Sequence, residues 1–429
     1  MLKGAACIAM LISHAIRVEE GFQSFGAHFA LELLNPAALV FFFASGANVV
    51  NFIDKNRNKK NFHMTLFYIL SCLFLFILSY TYSINRLTLT VFTIFQGLAV
   101  SMAITYLLIR TSLKDIYLAA ISLLFMLIAI RFRAVIEPDL AKFRELIPPG
   151  LPANDKFMAQ TWSYIKGFSP LTKVLFVNFS IFPWAGYMIL GAATYRSISR
   201  TNTMQFWAVF YLVILAIGVS IFRNSSKPWE LTYLHEIMFR TTPVQVFVPV
   251  GVAGLIMLAS HKWYRGASAA KNWLKKKIYS WTELIGVQSL VFFIHHLLVI
   301  SLILSIWELL FQFTGMHSFF HRSLTIFERL LWAVLLIAIS FGYIVKKVEA
   351  AMQSRRLFLK AILVSAFSYA LAILLLLFPI TQNFGLLITF IPCYAFVVCY
   401  PVIREGLRKN CYSNPQASKA LSNSSSKIA

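Results

Sequence analysis

Long apolar runs separated by short polar segments dominate the chain, with about a dozen such runs over its 429 residues. A helix needs roughly 20 mostly apolar residues to cross a bilayer. Backbone N–H and C=O groups inside a membrane must form hydrogen bonds within the protein, which only helices and closed β-barrels achieve. Barrel strands alternate polar and apolar residues, and these runs do not, so the pattern predicts an all-α polytopic membrane helical bundle. We predict spans over residues 3–22, 29–53, 62–84, 88–109, 115–132, 174–195, 204–222, 242–261, 284–309, 326–345, 357–378 and 384–403.

Composition and charge support this class. Hydrophobic residues make up 59% of the chain, and 40 phenylalanines stand against 16 acidic residues, which is too much apolar surface for a water-soluble globule. The net charge of +23 is divided among the loops rather than massed on one soluble domain, so we exclude nucleic acid as a partner. The lipid bilayer is the partner that the composition predicts.

The basic residues also predict the topology. With both termini cytoplasmic, the cytoplasmic segments hold most of the 39 lysines and arginines, as the positive-inside rule requires. We therefore predict a single transmembrane domain over residues 1–403, followed by a disordered cytoplasmic tail over 404–429 that is rich in Ser, Asn, Lys and Ala. Prolines in the last run leave open whether 384–403 crosses fully, which gives 11 or 12 helices.

Two loops and the cysteines complete the outline. The long outer loop 133–173 suits packing at the membrane interface or contact with a substrate, and the segment 262–283, which alternates tryptophans with lysines, is typical of an amphipathic helix on the bilayer surface. The five cysteines have no metal-ligand spacing, and we predict no metal.

Histidines inside the apolar runs are the candidate chemistry. His14 and the pair His295–His296 each lie about 11 residues from the predicted cytoplasmic start of a span, so they reach similar depth and can share a polar cavity. Adjacent helical positions point about 100° apart, so one histidine of the pair faces that cavity. A neutral imidazole suits a general base, whereas a single histidine in a span is as often a helix-to-helix hydrogen bond.

Four segments resemble a known family. Lys3-Gly4 followed by an apolar run to Ser13-His14 is the first, and Asn35-Pro36 to Ala47, Phe182-Pro183-Trp184 to Gly191, and Ser289 to His296 are the others. Together they resemble the transmembrane acyltransferase superfamily, which includes acyltransferase family 3 and the heparan-alpha-glucosaminide N-acetyltransferase branch. The resemblance covers residues 2–300, and the spans over 326–403 lie beyond it.

This resemblance implies an enzyme that moves an acyl group, usually acetyl, from cytoplasmic acyl-CoA to a hydroxyl or amine of an extracytoplasmic carbohydrate. It implies that His14 matches the first-span histidine of family 3, that His28 matches the catalytic histidine of the heparan branch, and that His296 matches the ninth-span histidine better than His295 does. The family pattern has an acid three residues before the basic residue, a position that precedes this chain, and Lys3 stands where Arg is commoner.

We assign the remaining roles as hypotheses. His14 or His28 is the base, and the other histidine, Ser13 and Asn35 orient the reactants. Glu32, at i+4 from His28, orients that imidazole or forms a cap or loop salt bridge. The basic residues that we assign to cofactor phosphates, with snorkelling as the alternative, are Lys3, Arg196 and Arg200.

A transporter or flippase of a polar or lipid-linked substrate is the alternative function, because it too would carry polar groups inside a dozen spans. A non-catalytic membrane scaffold is a second alternative. The sequence leaves monomer and homodimer open, and we expect the bacterial inner (plasma) membrane as the location.

Overall fold

The computed structural model describes residues 2–17, 37–57, 61–82, 93–111, 113–144, 163–201, 203–224, 241–267, 273–296, 299, 326–353, 359–364, 366–367, 370, 395 and 398–406. Across these ranges the regular structure is helical, without a strand, which confirms the all-α fold. The predicted spans 357–378 and 384–403 fall mostly outside the described residues.

The helices are α1 (Leu2–Arg17), α2 (Ala37–Lys55), α3 (Asn61–Tyr82), α4 (Ile94–Arg110), α5 (Asp115–Arg144), α6 (Pro170–Phe176), α7 (Ile181–Thr201), α8 (Met204–Arg223), α9 (Pro243–Ala267), α10 (Trp273–Val287) and α11 (Ile326–Gln353). A turn at Gln288 separates α10 from a further helical segment over residues 289–296. Five helical stretches among the described residues are long and apolar enough to cross a membrane: Ala37–Lys55, Asp115–Asp139, Pro170–Thr201, Met204–Arg223 and Pro243–Trp263. The chain is therefore a multi-pass membrane protein.

Helix α7 lies at the centre of the bundle. It packs along α2, α4 and α5, and nearly all of its side chains from Pro183 to Ile198 are buried. Small residues on α7 permit this, because helices in lipid associate through close van der Waals contact where side chains are short. Gly191 meets the backbone of Phe43 in α2, and Gly186 meets the backbone of Ser122 in α5.

A polar layer joins one end of these helices. Arg200 near the end of α7 donates to Asp54 near the end of α2 at 2.7 Å, and Arg196 donates to the backbone that joins α4 to α5. The helices α2, α4 and α7 therefore end together and run in the same direction, while α5 begins at this layer and runs back. These relative directions agree with the predicted topology.

Two predicted boundaries were wrong. The predicted span 174–195 is two helices, because the chain leaves the helical path at residues 177–180 and α7 begins only at Ile181. Asn178 there adopts the left-handed region at φ 56°, and its carbonyl accepts the Trp184 indole N–H at 3.0 Å. The predicted loop 133–173 is helical over its first part, since α5 continues to Arg144.

Helix α8 lies at the periphery of the bundle. It packs mainly on α9, and large apolar side chains such as Phe206, Val209 and Leu212 are more than half exposed. In water such a surface would be unfavourable, whereas in a bilayer it faces lipid. This surface is the outside of a membrane-embedded bundle.

Candidate active site

The predicted site residues divide between described and undescribed parts of the chain. His28, Glu32 and Asn35 lie outside the described residues. Ser13 and His14 belong to α1, but their side chains also lie outside the description. The side chains that can be placed are His296 and the three basic residues Lys3, Arg196 and Arg200.

His296 is fully buried in the helical segment 289–296. Its Nδ1 lies 3.0 Å from the Phe292 carbonyl oxygen, one turn earlier. A carbonyl oxygen can only accept, so Nδ1 carries the hydrogen and, in the neutral ring, Nε2 carries the lone pair. Nε2 is therefore the nitrogen of His296 that can take a proton.

Aromatic rings fix the level of His296 in the bundle. The ring of Phe293 lies 5.3 Å from that of His296 and 5.4 Å from that of Phe95, in the first turn of α4. The other end of α4 is Arg110, about 25 Å away along a 17-residue helix. His296 therefore lies at the end of the bundle where α2, α4 and α7 begin, opposite the polar layer.

His295 points to another helix. It is almost fully buried, its Nε2 lies 2.8 Å from the Ser340 hydroxyl of α11, and its ring lies 6.1 Å from that of Phe341. His296 instead bonds to the Phe292 carbonyl oxygen, and its ring lies against the rings of Phe292 and Phe293 in its own segment. The two neighbouring imidazoles thus diverge, as their helical spacing predicts.

The segments that resemble the family meet in the core. Phe42 of α2 and Trp184 of α7 have ring centroids 4.8 Å apart, and Gly46 of α2 lies against the backbone of Met188 in α7. Helix α1 packs on α2 and on α10, where Gly4 lies against the backbone of Thr282. Phe292 and Phe293 of the fourth segment belong to the same apolar core, so all four family-like segments pack together.

Lys3 lies deeper than the sequence indicated. Its Nζ is 4.7 Å from the ring centroid of Phe41, in the second turn of α2, where a cation–π contact can hold an ammonium among apolar side chains. Phe41 precedes Asp54 by 13 residues, about 20 Å along α2. Lys3 and the Arg200–Asp54 pair are therefore placed beside different turns of α2.

Arg196 is held by the protein itself. The guanidinium is buried, forms an ion pair with Asp115 through Nε, and donates to the carbonyl oxygens of Leu113 at 2.6 Å and Ile109 at 3.3 Å. These contacts favour a structural role that ties α7 to the connection between α4 and α5. Its assignment to a cofactor phosphate stays a prediction.

Arg200 is more accessible. Its side chain is half exposed, and so is that of its partner Asp54. An exposed pair of this kind contributes little to stability, and an incoming anion can compete for the guanidinium. Of the three basic residues, Arg200 is the one whose surroundings suit a phosphate at the end of the bundle.

Two further observations concern where a ligand or a metal could bind among the described residues. A surface groove is lined by residues of α8, most of them apolar, together with Asn224 and Pro243, and none of the predicted site residues lines it. No cluster of three or more His, Cys, Asp or Glu side chains that could hold a metal occurs within the described parts of the chain.

Sequence reasoning did not find Ser340. It lies 45 residues from His295, inside an apolar helix beyond the four family-like segments, and a single serine in such a helix carries no signal of its partner.

Residues 1–226, just over half of the chain, match the family model described as Heparan-alpha-glucosaminide N-acetyltransferase, catalytic. The match includes α1 to α8, with the first three family-like segments, and ends before His295 and His296. Searches of curated proteins and of solved structures each returned no match. On the strength of the family match, the chain belongs to the heparan-alpha-glucosaminide N-acetyltransferase catalytic family of membrane acetyltransferases.

Proposed function

We propose that the chain moves an acyl group, acetyl in the simplest case, from cytoplasmic acyl-CoA to a hydroxyl or amine of a carbohydrate on the extracytoplasmic side. One observation carries the proposal. The family-like segments pack into one core whose histidine segment holds a fully buried imidazole, that of His296, with its lone pair on Nε2. A buried imidazole in a fixed tautomer suits the transfer of an acyl group from a thioester, because water is kept from the reacting groups.

The chemistry assigns a role to each group. His14 or His28 takes the proton from the acceptor hydroxyl or amine as its oxygen or nitrogen attacks the thioester carbonyl. The resulting oxyanion needs fixed donors, for which we propose Ser13 and Asn35. Collapse of this intermediate breaks the carbon–sulfur bond, and the departing CoA thiolate receives the proton from the imidazolium.

His296 and Glu32 complete the proposed set. His296 contributes a second imidazole whose Nδ1–H is fixed by the Phe292 carbonyl, so that its Nε2 accepts a hydrogen bond from the acceptor or from a neighbouring group. Glu32 orients His28. Direct transfer and transfer through an acyl-histidine both satisfy this arrangement.

Acyl-CoA is the donor in this proposal, with no metal required. Arg200 is the proposed contact for its phosphates, because the guanidinium is half exposed at the polar layer. Lys3, about 20 Å away along α2, is better placed for the thioester half of the donor than for the same phosphates. Residues 1–403 form the proposed catalytic unit, with both termini cytoplasmic.

Transfer of labelled acetyl from acetyl-CoA to glucosamine or an oligosaccharide by the purified protein in liposomes tests the function. We expect His14→Ala, His28→Ala and His296→Ala each to lower transfer at least a hundredfold, since each removes a proton-transfer or orienting group. His63→Ala, at the start of α3, is the matched control, and we expect it to retain activity.

Unchanged transfer in all three variants would contradict the assigned site. Counterflow of a labelled sugar across the same liposomes, without any acyl donor and with no acyl product, would instead favour the transporter or flippase.

A further inference from the structure

Helix α11 contacts the histidine segment, and both lie beyond the residues that match the family model. The ring of Phe341 packs edge-on against Phe292 at 5.1 Å, and the hydroxyl of Ser340 meets Nε2 of His295 at 2.8 Å. His295 is 3% exposed, so its ring nitrogens are largely shielded from solvent. A polar contact in such surroundings fixes orientation more strictly than a solvated one.

Counting hydrogens gives the direction of this bond. The Ser340 hydroxyl has one hydrogen, and it donates that hydrogen to the Leu336 carbonyl oxygen one turn earlier in α11. Its oxygen is therefore the acceptor towards His295, and Nε2 of His295 is the donor. The neutral His295 ring is thus the Nε2–H tautomer, whereas the neutral His296 ring is the Nδ1–H tautomer.

We infer that Ser340 is a positioning residue for acyl transfer, which holds His295 in one tautomer and, through the rigid segment 289–296, sets the orientation of His296. The inference rests on the proposed function. Because the two histidines are consecutive on one helix, a rotation of that helix about its axis moves both rings together. Anchoring His295 to α11 therefore fixes the direction in which Nε2 of His296 points.

Removing the hydroxyl takes away the acceptor of a buried N–H. Loss of this acceptor favours a change of tautomer or rotamer at His295, or a rotation of its helix. A displacement of about 1 Å in a reacting group costs up to about a hundredfold in rate, while the binding of a distant cofactor is unaffected. The expected signature is a loss in kcat without a change in KM for acetyl-CoA.

The experiment compares Ser340→Ala, Ser340→Thr and the control Ile339→Ala, whose side chain is 71% exposed on the same helix. We expect Ser340→Ala to lower kcat ten- to a hundredfold with KM for acetyl-CoA unchanged, and Ser340→Thr to restore kcat to within about threefold, since it keeps the hydroxyl. Ile339→Ala should behave as the unmodified chain. A kcat for Ser340→Ala within twofold of that of the unmodified chain would overturn the inference, as would recovery of an acyl group on Ser340 by mass spectrometry.

A second measurement does not depend on turnover. Imidazole ¹⁵N spectra, assigned with His295→Gln, should show a protonated Nε2 for His295 in the unmodified protein and a changed spectrum for the His295–His296 pair in Ser340→Ala. Identical spectra would overturn the inference even if the chain transfers no acyl group. Absence of transfer by the unmodified chain, together with the expected spectra, would contradict the proposed function and leave the Ser340 contact established.

Discussion

Gly191 of α7 lies so close to Phe43 of α2 that the backbones of the two helices touch. A Cβ at Gly191 would overlap the carbonyl carbon, the oxygen and the Cα of Phe43, none of which can move without the whole helix. We therefore expect Gly191→Ala to destabilise the bundle by about 1–3 kcal/mol or more, the range for overpacked cores. Thermal unfolding in detergent measures the effect.

Gly342→Ala is the matched control, because the nearest atom to its added Cβ is a ring carbon of Trp281 at 3.5 Å, an ordinary contact. We expect it to be neutral or slightly stabilising, since alanine favours a helix over glycine. Equal unfolding temperatures for Gly191→Ala and Gly342→Ala would contradict the central position of α7.

The two arginines of the polar layer should differ sharply in their effect on stability. Arg196→Met removes a buried guanidinium that pairs with Asp115 and donates to two backbone carbonyl oxygens. We expect the free energy of unfolding to fall by about 3–5 kcal/mol. Arg200→Met breaks an exposed pair and should cost less than about 1 kcal/mol. Thermal unfolding of both variants in the same detergent and salt tests the contrast, and equal losses would refute the structural role of Arg196.

Substitutions of Lys3 and Arg200 should have different effects, one on the rate of catalysis and the other on the binding of the donor. Because Arg200 lies at the polar layer, we expect Arg200→Met to weaken acetyl-CoA binding about tenfold, or ~1.4 kcal/mol, with little change in kcat. Lys3, whose ammonium lies over Phe41 in the second turn of α2, should instead affect kcat when changed to Met. Isothermal titration with acetyl-CoA and steady-state kinetics test both, and Lys3→Arg, which keeps the charge, is the control. Weaker acetyl-CoA binding in Lys3→Met together with a lower kcat in Arg200→Met would contradict both assignments.

Tyr164 gives a pH-dependent prediction outside the membrane-spanning segments. Burial and its hydrogen bond to the Asp139 carboxylate, at 2.8 Å, raise the pKa of the Tyr164 hydroxyl to about 12. Because this pKa lies above the unfolded value of about 10, the contact stabilises the protein below pH ~10 and is lost as the pH rises towards 12.

Ultraviolet titration at 295 nm, as the difference between the unmodified chain and Tyr164→Phe, isolates this group. In Asp139→Asn we expect the pKa of Tyr164 to fall towards its ordinary value, because the carboxylate no longer opposes the phenolate. A Tyr164 pKa near 10 in both proteins would show that the contact is absent in solution.

The apolar runs predicted the membrane helices well where charged residues flank the runs. Helix α8 begins at Met204 and ends at Arg223, almost as its hydrophobic run predicts, because lysine and arginine mark where the chain leaves the bilayer. The break before α7 was missed, because Ser180 and Phe182 lie inside an apolar run. There the backbone is set by local contacts such as the Ser180 hydroxyl donating to the Phe182 carbonyl at 2.6 Å.

Resemblance of four short segments was enough to predict the family, which the match over residues 1–226 confirms. It also singled out His296, whose burial the structure shows. The level of Lys3 beside Phe41 and the bond between His295 and Ser340 depend on how distant helices pack, and a hydrophobic pattern does not encode that packing. Whether His14, His28, Glu32 and Asn35 join the site stays a prediction.

The order in which the helices are synthesised has a consequence for assembly. The main partners of α7, which are α2, α4 and α5, all precede it in the chain, so the centre can form as soon as α7 enters the bilayer. Helix α1 also packs on α2, which follows it directly, but its contacts with α10 and α11 can form only after some 270 or more further residues have been translated. A ribosome-bound intermediate would therefore contain the packed centre of α2, α4, α5 and α7 before α10 and α11 complete the contacts of α1.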